Sequence, residues 1–300
     1  MTDPSTVQKF IDETIHFSIL IPTWNNPDYL KLCLRSIREN SEFKNQVIIF
    51  VNEGKDETIR HLENLKNIDY IISEKNIGVC LALNSCRSLV KGDYIVYMND
   101  DMYACPGWDL ELLNEINRLG TDKFSLSATL IEPFPSKNPN LVSIVKNYGD
   151  NILDFQESKL LAEFRELQKP DWYGASWPPN VVSRKIWDMV GGYSIEFTPG
   201  FYSDPDFSMK LWRLGIRIYK GVGTSKVYHF GSKSTHRIKH THNSDIFLMK
   251  WGITARTFYI HYLRMGQKYE EALPDHISLS FSVRLRNYLK KLFKCLRLNR

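Results

Sequence analysis

The sequence lacks any apolar run approaching the ~20 consecutive residues that a membrane-spanning helix needs. Its first ten residues, MTDPSTVQKF, are polar and lack the apolar stretch of a signal peptide. These absences predict a cytoplasmic protein that meets a membrane, if at all, at its cytoplasmic face. Of the 300 residues, 43% are hydrophobic and 24% are charged, which is typical of a soluble globular protein large enough to bury a full core.

Cysteine is scarce and lacks the spacing of a structural site. The five cysteines are an odd number with no CxxC pair, which argues against a disulfide framework and against a zinc knuckle. We expect reduced, mostly buried thiols at Cys33, Cys80, Cys86, Cys105 and Cys295.

Acidic residues are absent after Asp275, so the chain ends in a basic tail. Leucines recur at helical spacing between its cations, at Leu285, Leu289, Leu292 and Leu296. Such a basic amphipathic helix suits an anionic membrane surface. The alternative is a helix docked on the rest of the protein with a solvated basic face. Because no recognition motif accompanies the charge, we expect no nucleic-acid partner.

Short apolar runs alternate with helical patterns through the first hundred residues. Runs such as FSILIP (17–22) and QVIIFVN (46–52) are apolar throughout, whereas PDYLKLCLRSIREN (27–40) has its apolar residues three to four positions apart. Fully apolar strands separated by helices predict an α/β fold with a mainly parallel sheet covered on both faces. In such folds ligands bind outside the carboxyl ends of the strands.

Polar residues follow the predicted strands, and we expect them to converge on one crevice: Thr23, Asn25, Asn52, Glu53, Asn76, Asn99, Asp100 and Asp101. The stretch VYMNDDM (96–102) places two adjacent carboxylates after a buried strand. Adjacent carboxylates repel and are costly to bury unpaired. They either form a turn that caps the next helix or await a cation.

The later part of the chain is less regular. Trp172, Tyr173 and Trp177 are either core aromatics or a platform that stacks on a sugar or base. SDPDFSMKLWRLG (203–215) predicts a helix capped by Ser203 or Asp204. His229 ends a predicted strand and is either structural or a ligand.

The stretch GSKSTHRIKHTHNSD, which follows Phe230, is polar and basic. It is either a solvated loop or a mobile lid over a phosphate-bearing ligand. Its His240 and His242 form an HxH pair, a pattern that is common by chance and only weakly indicates a metal site.

Together these stretches resemble glycosyltransferase family 2, the inverting enzymes of the GT-A fold, over roughly residues 16–235. FSILIPTWNNPDYLKLCLRSI is similar to the family's opening strand and helix, and EKNIGVCLALNSCRSLVKGDYIVYMNDDM to its glycine, asparagine and acidic motifs. The block from GASWPPNVV to SDPDFSMKLWRLG resembles the acceptor-side region that ends in the catalytic acid, and HFGSKS the late histidine motif.

The resemblance implies a role for each matching position. Nucleotide-sugar contacts fall on Pro22, Thr23, Asn52 and Glu53 for the base and ribose and on Asn76 and Gly78 near the diphosphate. Asp101, with Asn99 or Asp100, holds Mg²⁺ or Mn²⁺, and His229 completes the metal or phosphate contacts. Asp204 is the catalytic base. The acceptor or donor-sugar side falls on Trp172, Gly174, Ala175 and Asp206.

Three positions depart from the family pattern. Asn99 stands where many members have aspartate, which weakens metal binding or leaves it to Asp100 and Asp101. Asn52 stands where an aspartate usually accepts the base N–H, so uracil is not implied. Ser203 replaces a glutamate, which leaves Asp206 as a rival base.

The sequence thus predicts a metal-dependent inverting glycosyltransferase with a catalytic domain at 1–240 and a C-terminal helical extension at 241–300. Its expected acceptor is the hydroxyl of a growing, lipid-linked surface glycan. Two alternatives remain open. A nucleotidyltransferase would need a glycine-rich phosphate loop after the first strand, and IPTWNNPDYL has no glycine. A non-catalytic nucleotide-sugar-binding protein is compatible with the departures at Asn99, Asn52 and Ser203.

Overall fold

The computed structural model describes residues 10, 14–54, 57–135, 142–231 and 242–298. Its first part alternates strands and helices as the apolar pattern predicts. The elements are β1 (Phe17–Thr23), α1 (Pro27–Asn40), β2 (Gln46–Asn52), α2 (Thr58–Glu63), β3 (Ile68–Ser73), α3 (Gly78–Cys86) and β4 (Tyr94–Tyr97).

The central part adds shorter strands between helices. They are β5 (Met102–Ala104), α4 (Trp108–Leu119), β6 (Phe124–Glu132), β7 (Ile144–Val145), α5 (Glu157–Glu163), β8 (Trp172–Tyr173), β9 (Asn180–Ser183), α6 (Arg184–Val190), α7 (Ser203–Arg213) and β10 (Ile218–His229). The C-terminal part is helical, with α8 (Asn243–Trp251), α9 (Ala255–Thr257), a π-helical turn at Phe258–Tyr262 and α10 (Phe281–Leu298).

One sheet of ten strands joins these elements, with the main order β3-β2-β1-β4-β9-β6-β10-β5. The pairs within β3-β2-β1-β4 are parallel. Strand β9 is antiparallel to both β4 and β6, and β10 is parallel to β6. Strands β1, β2, β3, β4, β6 and β10 therefore run in the same direction, so their carboxyl ends lie along one edge. The predicted α/β fold is confirmed, with β5, β8 and β9 as antiparallel additions.

Side chains alternate between the two faces of the sheet. In β1, Phe17, Ile19 and Ile21 join a buried cluster with α1 and α4, while Leu20 joins a second cluster with α3 and α7. This second cluster also contains Phe247 of α8 and Phe258 of the π-helical turn. The C-terminal helices thus share the core of the sheet, because alternate strand residues need an apolar cover on each face.

The division at residue 240 stays a prediction, and the boundary lies in a stretch outside the described residues. The expected basic lid lies there as well, including Lys233, His236, Arg237, Lys239 and His240. Within the described part of the chain, no helix is both long enough and apolar enough to cross a membrane.

Candidate active site

The carboxyl edge of the sheet brings together polar residues that are distant in sequence. Thr23 ends β1, and its hydroxyl donates a 2.7 Å hydrogen bond to Asp100 Oδ2 in the turn after β4. Both side chains are buried. This bond joins the ends of two adjacent parallel strands. The acidic turn therefore contacts the end of β1 instead of capping a helix.

Asp101 belongs to a chain of three ionisable groups. His229 Nε2 lies 3.4 Å from Asp101 Oδ1, and His229 Nδ1 lies 2.9 Å from Glu132 Oε1. Burial by itself would lower the pKa of His229, but the two carboxylates outweigh it and raise the pKa to about 10. Glu132 ends β6 and His229 ends β10, so the parallel pairing of these strands places the two side chains together.

Asn52, Asn76 and Gly78 organise the loop that leads into α3. The Asn52 side-chain oxygen accepts from Ile77 N at 3.0 Å, and the Asn76 oxygen accepts from Gly78 N at 2.9 Å. Gly78 has φ +79°, and a Cβ there would lie 2.7 Å from Thr198 Cγ2. The glycine thus permits close contact between the start of α3 and a neighbouring loop.

Glu53 and its neighbours adopt an unusual backbone at the ends of β1 and β2. Glu53 has φ +72° and Asn25 has φ +48°, a region that non-glycine residues seldom occupy. Trp24 Nε1 donates to Glu53 Oε2 at 3.0 Å. Strained backbone of this kind concentrates at binding sites, and these residues flank Pro22 and Asn52.

Asp204 lies in an aromatic environment in the first turn of α7. Its Oδ1 is buried and has no hydrogen-bond partner among the described residues. Burial raises the pKa of Asp204 to about 7, and a hydrogen bond from Tyr193 only partly offsets this. Tyr193 itself stacks on Phe207, with the ring centroids 4.5 Å apart. A carboxylate with a pKa near neutrality is suited to accepting a proton.

Asp206, the rival base, is committed to other contacts. It is fully buried, and its Oδ1 accepts from Trp251 Nε1 and from Lys250 Nζ, both at 2.8 Å. Lys250 also contacts Glu196 at 2.8 Å. Asp206 therefore ties α7 to α8 through an ion pair, whereas no cation pairs with Asp204 among the described residues.

The start of α7 differs from the prediction. The residue preceding the helix is Tyr202, with φ +67°, and Ser203 is the first helical residue. The Ser203 hydroxyl donates to the Gly200 carbonyl oxygen, and neither Ser203 nor Asp204 caps the helix. The expected cap was wrong because the left-handed turn at Tyr202 lets the chain enter the helix without a side-chain cap.

The residues expected on the acceptor side are partly core residues. Trp172 is 3% exposed, packs against Gly221 and donates from Nε1 to Thr129 Oγ1 at 2.9 Å. A fully buried indole has no face left for a sugar, so Trp172 is a core aromatic and not a platform. Gly174 and Ala175 have φ values of +135° and +39°, and Ala175 is buried with its carbonyl bonded to Ser125.

Tyr97, at the end of β4, links the acidic turn to Asp204. Burial raises the pKa of Tyr97 well above its usual value, and the charges of Asp204, Asp100 and Asp101 raise it further. All three carboxylates are therefore close enough to act on one hydroxyl. Sequence reasoning missed Tyr97, Glu132, Tyr193 and Lys250; only Glu132 carried a signal, as a polar residue at the end of an apolar strand.

The donor set around Asp101 fits a divalent cation. Among the described residues, no group of three or more His, Cys, Asp or Glu side chains could hold a metal ion by itself. However, Mg²⁺ in phosphate-binding sites is held by one or two carboxylates together with substrate phosphates. Glu132 engages one ring nitrogen of His229, the arrangement that orients metal-bound histidines. The 3.4 Å contact between His229 Nε2 and Asp101 Oδ1 is an ion pair of the protonated imidazole, so a cation held by both groups would displace that proton.

Comparison with known proteins identifies the fold and the domain. Residues 18–160 match the model of the Glycosyl transferase family 2 domain. The chain carries a family 2 domain. It is 27% identical over 138 residues to an uncharacterized glycosyltransferase of Haemophilus influenzae, covering 44% of this chain and 42% of that protein. It is 24% identical over 238 residues to chondroitin synthase of Escherichia coli, covering 71% of this chain and 34% of the synthase. The chain thus spans less than half the length of these curated relatives.

Solved structures extend the likeness beyond the family 2 domain. S. aureus TarS in complex with UDP-GlcNAc has a TM-score of 0.57 at 13% identity, covering 93% of this chain and 72% of that chain. The mannosyltransferase PcManGT of Pyrobaculum calidifontis, in complex with GDP-Man and Mn²⁺, has a TM-score of 0.50 at 16% identity, covering 85% and 66%. At these identities the likeness shows the fold, which is GT-A.

Proposed function

We propose that this protein is a metal-dependent, inverting glycosyltransferase that moves a sugar from a nucleotide donor to a hydroxyl of a lipid-linked glycan. The observation that carries the proposal is Asp204, a carboxylate with a pKa of about 7 and one oxygen without a partner among the described residues. It lies close to the acidic turn, in a fold shared with structures that contain nucleotide sugars. Chondroitin synthase, among the relatives, supports a glycan acceptor.

The donor is assigned to the edge formed by β1, β2 and β4. Pro22, Thr23, Asn52 and Glu53 are proposed to contact the base and ribose, and Asn76 and Gly78 to adjoin the diphosphate. The Asn52 side-chain oxygen already accepts a hydrogen bond from Ile77 N. The side-chain NH₂ group of Asn52 is therefore the part that would donate to the base. This favours an acceptor atom on the base, and the nucleotide itself is a matter for experiment.

A divalent cation, Mn²⁺ or Mg²⁺, is assigned to Asp101 and His229, with Asp100 and Asn99 beside them. When bound, such an ion neutralises the charge that develops on the departing nucleoside diphosphate. Glu132 holds the His229 ring, and Thr23 holds the Asp100 carboxylate, so both groups are positioned in advance.

The transfer needs one base. The acceptor hydroxyl attacks the anomeric carbon on the face opposite the nucleotide, and the bond to the diphosphate oxygen breaks in the same displacement. Asp204 takes the hydroxyl proton, and the electron pair of the broken bond leaves with the diphosphate. A single displacement inverts the anomeric configuration. Gly174 and Ala175 are the remaining candidates for the acceptor side, while Asp206 supports the helix.

A thermal-shift panel tests the donor and metal assignments. UDP, GDP, CDP and dTDP are each measured with and without Mn²⁺. We expect one nucleotide to stabilise the protein in the presence of Mn²⁺ by about 5 °C or more, because a ligand at 100 times its Kd contributes ~2.7 kcal/mol.

The metal-dependent part of this shift should disappear in the Asp101→Asn variant. It should persist in the matched control Asp122→Asn, which replaces an exposed carboxylate that is not among the assigned site residues. If none of the nucleotides stabilises the protein under any condition, the donor assignment fails. If the shift is the same with and without Mn²⁺, the metal assignment fails.

Helix α10 supports the membrane part of the proposal. Its apolar stripe faces solvent: Phe281 is 71% and Phe293 is 63% exposed, and the other members are Leu285, Tyr288, Leu289, Leu292 and Leu296. The opposite side docks on the protein. Asn287 is 4% exposed and accepts from Thr254 N at 3.0 Å, while Lys294 contacts Asp245 at 2.6 Å.

This orientation reverses the usual one, in which an amphipathic helix turns its apolar side to the core. Helix α10 is docked on the protein, as in one of the two alternatives from the sequence, but its apolar stripe lies in solvent together with its cations. Cations at Arg284, Arg286, Lys290 and Lys291 accompany the apolar stripe. We propose that the stripe lies in an anionic membrane surface, as on a cytoplasmic leaflet.

Vesicle flotation tests this surface. We expect the protein to bind vesicles with anionic lipid, and the variant Leu285→Ser/Leu289→Ser/Leu292→Ser to bind more than about tenfold more weakly, since each leucine loses apolar contact. The control replaces three exposed apolar residues elsewhere, Val145, Leu153 and Met189, with serine and should bind normally. Equal binding of both variants, or equal binding to purely zwitterionic vesicles, would contradict the proposal.

A further inference from the structure

A cavity of about 530 Å³ lies between the start of α7 and the C-terminal helices α8, α9 and α10. Its walls include residues from all four helices or their flanks: Tyr202, Ser244, Asp245, Leu248, Thr254, Ala255, Arg256, Lys290, Phe293 and Lys294. None of the donor, metal or base residues assigned above lines it. The cavity is of the size that proteins use for small ligands.

The lining combines positive charge with apolar surface. Three cations, Arg256, Lys290 and Lys294, face one carboxylate, Asp245, which already accepts from Lys294 at 2.6 Å. Leu248 and Phe293 supply apolar walls. The excess of cations selects an anion, and Arg and Lys are the side chains that bind phosphate best. The apolar walls favour a ligand that carries more than the anion itself.

The cavity lies beside the proposed base. Tyr202 lines it and directly precedes α7, two residues before Asp204. Tyr259 lies near both Asp204 and Tyr202. Burial raises the pKa of Tyr259, and the charges of Asp204 and Tyr202 raise it further. A molecule held in this cavity would therefore have one end close to the site of transfer.

The cavity also adjoins the apolar stripe of α10. Phe293 belongs to both, and Lys290 and Lys294 lie on the same helix. An apolar chain that leaves the cavity past Phe293 meets the surface that we propose to lie in the membrane. The charge of the cavity and its continuity with this stripe point to the same ligand.

We propose that this cavity binds the phosphate of an acceptor that carries an apolar chain, so that the lipid-linked end is held here while the sugar hydroxyl reaches Asp204. The proposal rests on the proposed function for the identity of the acceptor. The binding site itself is defined by Arg256, Lys290, Phe293 and Leu248, and it exists independently of sugar transfer.

Binding of hexyl phosphate, measured by calorimetry on the full chain, tests the site. We expect hexyl phosphate to bind at least about tenfold more tightly than either inorganic phosphate or hexanol. The reason is that the cations of the site would bind the phosphate while its apolar walls contact the hexyl chain. Lys290→Glu should weaken hexyl phosphate binding about tenfold or more, and Lys291→Glu, the next residue and not part of the lining, should leave it within about twofold.

Arg256→Gln is the second variant and should weaken binding as well, while both substitutions lie at exposed positions and should leave the unfolding temperature unchanged. Inorganic phosphate binding as tightly as hexyl phosphate would indicate a free-phosphate site and overturn the proposal. Equal losses in Lys290→Glu and Lys291→Glu would indicate diffuse charge and overturn it too.

The experiment separates this inference from the proposed function. Asp204→Asn should keep hexyl phosphate binding, since Asp204 does not line the cavity. If nucleotides fail to bind but hexyl phosphate binds with the expected variant pattern, the glycosyltransferase proposal fails and the phosphate site stands. If nucleotides bind and hexyl phosphate does not, only the cavity assignment fails.

Discussion

Asp204→Asn should lower the rate of sugar transfer by about 10²–10⁴-fold, the usual contribution of a general base. The asparagine keeps the size of the side chain but does not accept the acceptor's proton. Nucleotide binding should persist because the donor edge does not include Asp204. The measurement is transfer under saturating donor, with nucleotide affinity determined in parallel. Asp188→Asn, which removes a surface carboxylate paired with Arg87, is the control and should keep activity within about twofold.

The pH dependence follows from the same carboxylate. With a pKa of about 7, Asp204 is mostly protonated at pH 6 and mostly ionised at pH 8. We expect kcat/KM to rise through this range and to level off above it. A rate that is independent of pH between 6 and 8, or an Asp204→Asn variant with wild-type transfer, would contradict the assignment of the base.

Stability should show the opposite trend. The pKa of Asp204 is raised from 3.8 to about 7 on folding, so the folded state binds the proton more tightly than the unfolded state. Its destabilising contribution is absent below pH 3.8, grows between pH 3.8 and about 7, and is constant above that. Asp204→Asn should therefore unfold at the same temperature as the wild type near pH 4 and at a higher temperature at pH 8. A lower unfolding temperature of the variant at pH 8 would show that the ionised carboxylate stabilises the fold.

The sequence was most informative where one element decides its own structure. The predicted strand at 46–52 and the helix at 27–40 match the observed bounds of β2 and α1. Fully apolar strands and a proline at the start of a helix are local signals, so they predict these two elements without knowledge of the neighbouring elements. The short antiparallel strand β9 was not predicted, since its four residues follow two prolines within an irregular segment and gain their pairing from β4 and β6.

The site was predicted less completely, because its pairs depend on which strands become neighbours. Thr23 and Asp100 were both expected at the crevice, and their strands are adjacent and parallel. Glu132 was missed because its partner His229 lies 97 residues further along the chain. The choice between Asp204 and Asp206 was open for the same reason: both occupy the first turn of α7, and only the packing of α8 distinguishes their surroundings.

Helix α10 shows a different limit of sequence reasoning. The alternation of leucines and cations correctly indicated an amphipathic helix, but no local signal says which side will contact the protein. The docking side is set by Asn287, which bonds to Thr254 and Thr257. Together with the ion pair between Lys294 and Asp245, this side chain holds the helix with its apolar stripe outward. The stripe is therefore free for the proposed membrane contact.

Lys250→Met should destabilise the protein by about 3 kcal/mol or more, because it leaves the carboxylate of Asp206 buried without its cation. Asp206 is fully buried, and its Oδ2 already lacks a hydrogen-bond partner among the described residues. Trp251 would remain as its hydrogen-bond donor, with no cation in direct contact with the carboxylate. The measurement is equilibrium unfolding in urea. Lys185→Met, an exposed lysine on α6, is the control and should change stability by less than about 0.5 kcal/mol.

A second substitution distinguishes a charge pair from simple packing. Asp206→Asn in the Lys250→Met background removes the stranded charge, so the double variant should recover much of the lost stability. Additive losses in the two variants would show that the ion pair contributes nothing specific. Well below the unfolding temperature, the Lys250→Met variant should keep the pH profile of transfer, because the proton acceptor is Asp204. The two acids in one helical turn would then have separate roles, Asp206 in holding α7 to α8 and Asp204 in the chemistry.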